Sequence, residues 1–345
     1  MGLHCVTHDK IIEGTNQIIS RGQISRHLWA IILAGGNGKR IQTLTHRWKG
    51  RHVPKQYCAF VGSRTMLEHT IDRANMLVSP KRQKILIASE HQQEARSHLN
   101  GYWPGRVIVQ PKNCDTLPGI FLPITYVHKH DRSATVIVYP TDHFIYPKSR
   151  FAQAVSEAVS AVEALPDLLM LIGAPADSPE QDYGWIYPGS EIWSSGTYKA
   201  YTVRRFLEKP LRADAVDAME HGGLWNTFII VVKVETLWQL GWNYFPEPMS
   251  LFEHLRNSIG SCREGNVLEA IYEAMPSKNF STELLTPAVN RIGVLPMNGV
   301  VWSDWGREGR IVETLANIGK LPNFPCTLRV PNRERVPGRE YASSK

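Results

Sequence analysis

Short apolar runs, each closed by glycine, proline or a polar turn, mark out the ordered part of this chain. The first, residues 29–34, reads WAIILA and stops at Gly35 and Gly36. A run apolar at successive rather than alternate positions predicts a strand buried on both faces, as in a parallel sheet. Residues 84–88, 107–109, 135–139 and 168–172 repeat the pattern. Between the runs the period changes. In 151–165, Val155, Val159 and Val162 recur at helical spacing, and Pro166 stops the segment. Strands alternating with helices predict βαβ units, hence an α/β fold with a doubly wound, mostly parallel sheet. Such sheets bind ligands beyond the carboxyl ends of their strands, so residues just after each run become candidates for chemistry.

Beyond residue 172 the alternation loosens. Residues 198–207 read as a strand, 212–221 as a helix, 228–232 as a strand, 247–275 as a largely helical insert, and 292–295 and 300–302 as further strands. No composition break separates a second unit. The expectation is an N-terminal extension (1–28), one large domain (29–330) with a less regular C-terminal half, and a polar tail (331–345). A chain of 345 residues buries a sizeable core without disulfide or metal staples. Its longest apolar runs are far too short to cross a bilayer, and the opening MGLHCVTHDK lacks the apolar centre of a signal peptide. The five cysteines are odd in number and form no CxxC pair, which points away from structural zinc and toward a reducing, cytoplasmic setting.

Charge sharpens the picture. The formal net charge is +7, and Lys39, Arg40, Arg47, Lys49, Arg51 and Lys55 fall within 38–55 without an intervening acid. The remainder is close to balanced, which argues against a nucleic-acid surface. A concentrated basic loop suits a small polyanion such as a nucleoside triphosphate, although a solvated basic loop would account for it as well. Directly before it, Gly35, Gly36 and Gly38 follow the first strand, where bare backbone N–H groups can approach an anion. The segment is not a P-loop, since GxxxxGK[ST] is absent, and Ile41 breaks a GxGxxG dinucleotide fingerprint. A purely structural turn would look similar.

The order of further segments narrows the choice. LAGGNGKR at 33–40 is followed by PKQY at 54–57, QPKN with TLPGI at 110–120, YPTDH at 139–143, YGWI at 183–186, FLEKP at 206–210, WNT at 225–227 and WSDWG at 302–306. In order and content this series resembles the sugar-1-phosphate nucleotidyltransferases, and especially the mannose-1-phosphate guanylyltransferases. The chain departs from that family's pattern in places. Cys114 and Asp115 stand where an Arg-led pair is usual, Leu117 replaces a small residue, Thr227 and Phe228 replace Ser-Gly, and 280–302 has no clear counterpart.

The resemblance implies a reaction and roles. A sugar-1-phosphate oxygen, already ionised at neutral pH, attacks the α-phosphorus of a nucleoside triphosphate and expels pyrophosphate, so positioning and charge neutralisation matter more than a strong base. Leu33, Gly35, Gly36 and Gly38 would cradle the nucleotide, with Gln110, Asn113 and Thr116 near its base and ribose. Arg40 would balance the departing pyrophosphate, Lys55 would bridge the triphosphate region, and Lys209 would hold the sugar phosphate. Gly184, Glu208 and Asn226 would meet sugar hydroxyls. Asp142 and Asp304 would hold Mg²⁺, which favours one or two carboxylates together with substrate phosphates. A capping or turn role would suit either aspartate too. The implied partners are GTP and mannose-1-phosphate, without nucleic acid or membrane, and a homo-oligomer is compatible. Two alternatives stay open: the same chemistry on another hexose phosphate or nucleotide, and a non-catalytic nucleotide-sugar-binding subunit. His91, His143 and Cys114 show no metal-ligand spacing and are expected to be structural or solvent-exposed.

Overall fold

The computed structural model describes residues 26–99 and 105–326, so the expected extension and tail lie almost wholly outside the described residues. Eleven strands occur among the described residues: β1 (Leu28–Ala34), β2 (Gln83–Ala88), β3 (Val107–Gln110), β4 (Thr135–Pro140), β5 (Phe144–Tyr146), β6 (Leu169–Pro175), β7 (Gly184–Ser194), β8 (Lys199–Glu208), β9 (Leu224–Lys233), β10 (Ile292–Pro296) and β11 (Val301–Ser303). Nine of them form one mixed, largely parallel sheet in the order β3-β2-β1-β4-β9-β6-β10-β8-β7. β1 pairs in parallel with β2 and β4, and β6 with β10, as the apolar runs predict.

Alternation of side chains across the sheet builds two cores. In β4 every residue is buried. Val136 and Val138 join Leu117, Ile120 and Leu237 on one face, whereas Ile137 and Tyr139 join Ile71, Val155 and Val159 on the other. Strands covered by helices on both faces are the physical content of a doubly wound sheet.

Besides β5 and β7, which the pattern-based reading does not contain, three features differ from it. The helix Thr116–His130 does not show in the sequence pattern, because Pro118 and Pro123 interrupt its sequence and its burial nearly all round erases any amphipathic period. The strand expected at 228–232 begins four residues earlier, at Leu224, so Asn226 stands on a strand rather than in a loop. The strand expected at 300–302 is β11, which pairs with β5 in a separate two-stranded sheet.

These differences place chemistry. β9 runs antiparallel to β4 and β6, so its first residues reach the edge where β6 ends, with Gly173 opposite Asn226 and Ala174 opposite Trp225. β7 begins at that point and pairs with β9 through Trp185 and Trp225, while β8 returns antiparallel to bring Glu208 opposite Gly184. Among the described residues no helix is long and apolar enough to cross a membrane, and Cys58, Cys114 and Cys262 are free thiols.

Candidate active site

The carboxyl edge of the sheet opens into a cleft of about 830 Å³ that gathers most of the residues singled out from the sequence. Leu33, Gly35, Gly36, Gly38 and Arg40 line it from the first loop, Gln110, Asn113 and Thr116 from the end of β3 onward, Asp142 and Asp304 from its floor, and Gly184, Glu208, Lys209 and Asn226 from the far side. Lys55 alone of the expected set does not face the cleft.

The glycine loop is held from below. Gln56 Nε2 donates to the Ala34 carbonyl at 2.9 Å and the Gly36 carbonyl at 2.8 Å, and Leu33 O accepts from Thr141 Oγ1 at 2.7 Å. Gly38 has φ 60°, and a Cβ there would lie 3.0 Å from Lys55 N, so both its conformation and the chain beneath require glycine. The PKQ segment is therefore the shelf on which the loop rests.

Lys55 sits inside that shelf, 3% exposed, with Nζ 2.9 Å from Asp142 Oδ2 and donating to the Asp304 carbonyl oxygen. It is neither a surface lysine nor a group pointing into the open cleft; its charge holds the two aspartate segments together. Asp304 is the more heavily bound. Its Oδ1 accepts from Arg310 Nη1 (2.6 Å), Tyr183 OH (3.0 Å) and Gly306 N (3.0 Å), and its Oδ2 from Arg40 Nη2 (2.8 Å). Burial alone would raise the pKa of Asp304, yet Lys55, Arg310 and Arg40 together hold it well below the ordinary aspartate range. Asp142 follows the same balance: burial raises it, and Lys55 and then His143 bring it below its usual value. His143 lies 3.4 Å from Asp142 Oδ1 and is held neutral, its pKa pushed down to about 4 chiefly by burial.

The residues on the far side of the cleft are arranged differently. A Cβ on Gly184 would come within 3.1 Å of Glu208 Oε2 and 3.2 Å of Asn226 Cβ, so the glycine lets those two side chains converge. Asn226 Oδ1 accepts from Phe228 N at 3.0 Å. Burial raises the Glu208 pKa, partly offset by Lys209, whose Nζ is 4.0 Å away on a side chain 66% exposed. Beyond β3, Asn113 Oδ1 accepts from Asp115 N, and Thr116 Oγ1 accepts from Phe280 N. Asp115 caps the helix Thr116–His130 through Thr116 N, and Asn279 Nδ2 reaches the same carboxylate oxygen at 3.4 Å.

Several site residues carry no recognisable sequence signal. Arg310, on the helix Glu308–Asn317, is buried against Asp304 and Glu180, with its guanidinium 4.6 Å from the Tyr183 ring centroid. Ser277, Asn279 and Ser281 line the cleft from the stretch after the helical insert. Among the described residues, the non-glycine positions with positive φ are Asp115, Lys209, Phe228 and Trp305; three line the cleft and the fourth follows Asp304. Strained backbone collected in one place marks a site whose geometry is imposed by its surroundings. No group of three or more His, Cys, Asp or Glu with metal-holding geometry occurs among the described residues, and Asp142 and Asp304 supply two hard carboxylates only.

The nucleotidyl transferase family pattern matches residues 29–318. The xanthan biosynthesis protein XanB of Xanthomonas campestris pv. campestris (strain B100) is 31% identical over 302 residues, covering 84% of this chain and 60% of that protein. A mannose-1-phosphate guanylyltransferase of Escherichia coli K12 is 24% identical over 328 residues, covering 92% of this chain and 65% of the relative. The chain thus spans less than two thirds of the length of these relatives. The fold resembles that of a crystal structure described as mannose-1-phosphate geranyltransferase from Thermus thermophilus, with TM-score 0.69, 23% identity and coverage of 84% of this chain and 79% of the other. With the family match running from β1 through the helix that carries Arg310, and the glycine loop and paired aspartates lying on one cleft, the chain belongs to the nucleotidyl transferase family.

Proposed function

We propose that this protein transfers a nucleotidyl group from a nucleoside triphosphate to a sugar-1-phosphate, and that its substrates are GTP and mannose-1-phosphate, giving GDP-mannose and pyrophosphate. The observation that carries the reading is the convergence of Asp142 and Asp304 over Lys55, at the floor of a cleft with a glycine loop at one end and Lys209 beside Glu208 at the other. The named activity of the E. coli relative supports the choice of sugar and base.

The chemistry asks little acid–base work of the protein. An oxygen of the sugar phosphate forms a bond to the α-phosphorus, the bond from that phosphorus to the bridging oxygen breaks, and the electron pair leaves on pyrophosphate. The protein must align the phosphates and offset their charge. Backbone N–H groups of Gly35–Gly38 receive the nucleotide phosphates. Arg40, half exposed and resting on Asp304, can turn its guanidinium toward the leaving group. Lys209, exposed, takes the sugar phosphate, while Glu208 and Asn226 accept from or donate to sugar hydroxyls. Lys55 and Arg310 hold the aspartates in place from beneath.

The two aspartates suit Mg²⁺. Both are kept ionised; the Asp142 side chain is 41% exposed toward the cleft, and Asp304 would offer Oδ2 once Arg40 turns toward the leaving group. Bound there with substrate phosphates, the ion would supply positive charge between two mutually repelling anions. Pyrophosphate release across a grid of nucleotides and sugar phosphates tests the reading. GTP with mannose-1-phosphate should turn over fastest; another pair faster by about tenfold would overturn the substrate assignment, and no turnover with any pair would overturn the catalytic one.

A further inference from the structure

A second cavity, of about 570 Å³, adjoins the cleft and shares only His143 with it. Its walls come from 60–73, 143–149, Trp305, Ile318 and Lys320. Every lining residue that carries full charge is basic: Arg64, Arg73, Lys148 and Lys320. Asp72, which is not a lining residue, pairs with Arg64 at 2.8 Å and Lys148 at 3.3 Å and so offsets one of these charges. The rest of the wall mixes aromatic Phe60, Phe144, Tyr146 and Trp305 with aliphatic and small residues.

Buried donors in this wall lack acceptors. Arg73 is 3% exposed, and its Nη2 reaches only neutral oxygens, Thr70 Oγ1 at 2.5 Å and the His143 carbonyl at 3.5 Å. Among the described residues its Nε has no hydrogen-bond partner, nor does Nε1 of Trp305, which is fully buried, nor Nδ1 of His69. Burial, then Lys148 and Arg73, hold the His69 pKa down to about 4, a further mark of positive potential at this place. Arg and Trp nitrogens are donors only, and a buried donor left unmet costs its full desolvation. A lining whose fully charged residues are all basic, without a carboxylate among them, describes a receptor for an anion, and the unmet donors buried behind it add to its positive potential.

We propose that this cavity binds a small phosphate monoester, its phosphate against Arg73, Lys148 and Lys320 and an apolar or aromatic body against Phe60, Phe144 and Tyr146. It is a site separate from the catalytic cleft. Its walls include His143 and Trp305, the residues that follow Asp142 and Asp304, so an occupant lies one residue from each carboxylate. The assignment does not depend on the reaction proposed for the cleft, because it is read by binding alone.

Calorimetric titration of the full chain with phenyl phosphate tests it. One saturable site per chain is expected. The double variant Lys148→Ala/Lys320→Ala, altered only at partly or fully exposed positions, should bind about tenfold more weakly. Arg73→Met, if circular dichroism shows it folded, should bind weaker still. Lys209→Ala, in the cleft, should bind phenyl phosphate as the parent does. Absence of saturable binding, binding indifferent to the Lys148→Ala/Lys320→Ala pair, or binding lost on Lys209→Ala would each overturn the proposal.

Discussion

The two ends of the cleft solve opposite problems. On the aspartate floor each charge already has a partner: Lys55 on Asp142, Arg40 and Arg310 on Asp304, Arg310 again on Glu180 at 2.6 Å. At the sugar end the charges stand loose, with Lys209 exposed and 4.0 Å from Glu208, whose own pKa is pushed up rather than down. A network closed on itself fixes positions and resists disturbance; an open pair can give its charge to a ligand without first breaking a strong bond. The contrast separates lysines that the sequence presents as equals. Lys55 is buried as architecture, and Lys209 stands exposed as the proposed contact.

The largest effect should follow from opening the closed end. Asp304→Asn leaves Arg310 short of a buried counter-charge, and removal of one partner from such a pair typically costs about 3–5 kcal/mol. Glu180 still holds Arg310, which argues for the lower end of that range. Urea unfolding should show this loss, and pyrophosphate release should fall by a factor on the order of 10²–10³. Asp142→Asn should lose comparable turnover with less stability, since its side chain is 41% exposed. If the two act as one unit, the double variant should be little slower than either single one. Fully additive losses in turnover would break the contrast by making the floor two independent sites.

A smaller loss is expected at the open end, and of a different kind. Lys209→Ala should raise KM for the sugar phosphate by roughly tenfold to 150-fold, the worth of one hydrogen bond to a charged group, with nucleotide affinity retained. Lys209 has φ 47°, so Lys209→Gly should show the same KM and a melting temperature no lower than the parent's. A fall in stability with either change would mean that Lys209 is architecture as well.

Much of this was legible in the sequence, for reasons that stop at a definite point. The glycine loop and Asp142 directly follow strands, so continuous apolar runs placed them at the ligand-bearing edge before any contact was known. The runs carry no direction, however, and nothing in 224–233 told that β9 would run against its neighbours and deliver Asn226 to the same edge. Lys55 was visible as a motif residue, but its burial was not, because that depends on Asp304 closing over it from far along the chain. Arg310 sits on a short helix with ordinary polar spacing; only the turn that folds this helix back onto Asp304 makes the two partners. Ser277, Asn279 and Ser281 lie outside every segment that carries the resemblance, so neither pattern nor motif could find them.

The two ends should also answer acid with opposite signs. Asp142 and Asp304 have folded pKa values below their unfolded ones, so their contribution to stability is present above the ordinary aspartate range and is lost as pH falls beneath it. Glu208 has a raised folded value, so its charged form is disfavoured and stability declines as pH climbs from about 4.5 through that value. Glu208→Gln should therefore melt higher than the parent at pH 7, with the difference closing toward pH 4. A variant that melts lower at pH 7 would show that the Glu208 charge is stabilising and that the sugar end is closed like the floor.

The smallest effect concerns the strand that carries Asn226. β9 and β6 slip register between Leu171 and Gly173, and in that irregularity Phe228 holds φ 58°, where the resembled pattern has glycine. A left-handed conformation costs a non-glycine residue roughly 1–2 kcal/mol. Against this, the half-buried ring packs edge-on to Phe280, with centroids 5.9 Å apart. Burying a phenylalanine fully is worth about 1.5–3 kcal/mol, and half of that nearly equals the strain. Phe228→Gly should thus leave stability within about 1 kcal/mol of the parent, because relief and lost packing offset each other. Phe228→Ala loses the same ring yet keeps most of the strain, so it should unfold at lower urea than Phe228→Gly, even though glycine ordinarily weakens a strand. The order of the two variants isolates the backbone from the side chain. Should alanine prove the more stable, Phe228 is held there without strain, and the sugar end owes its shape to packing against Phe280 rather than to a backbone forced into place.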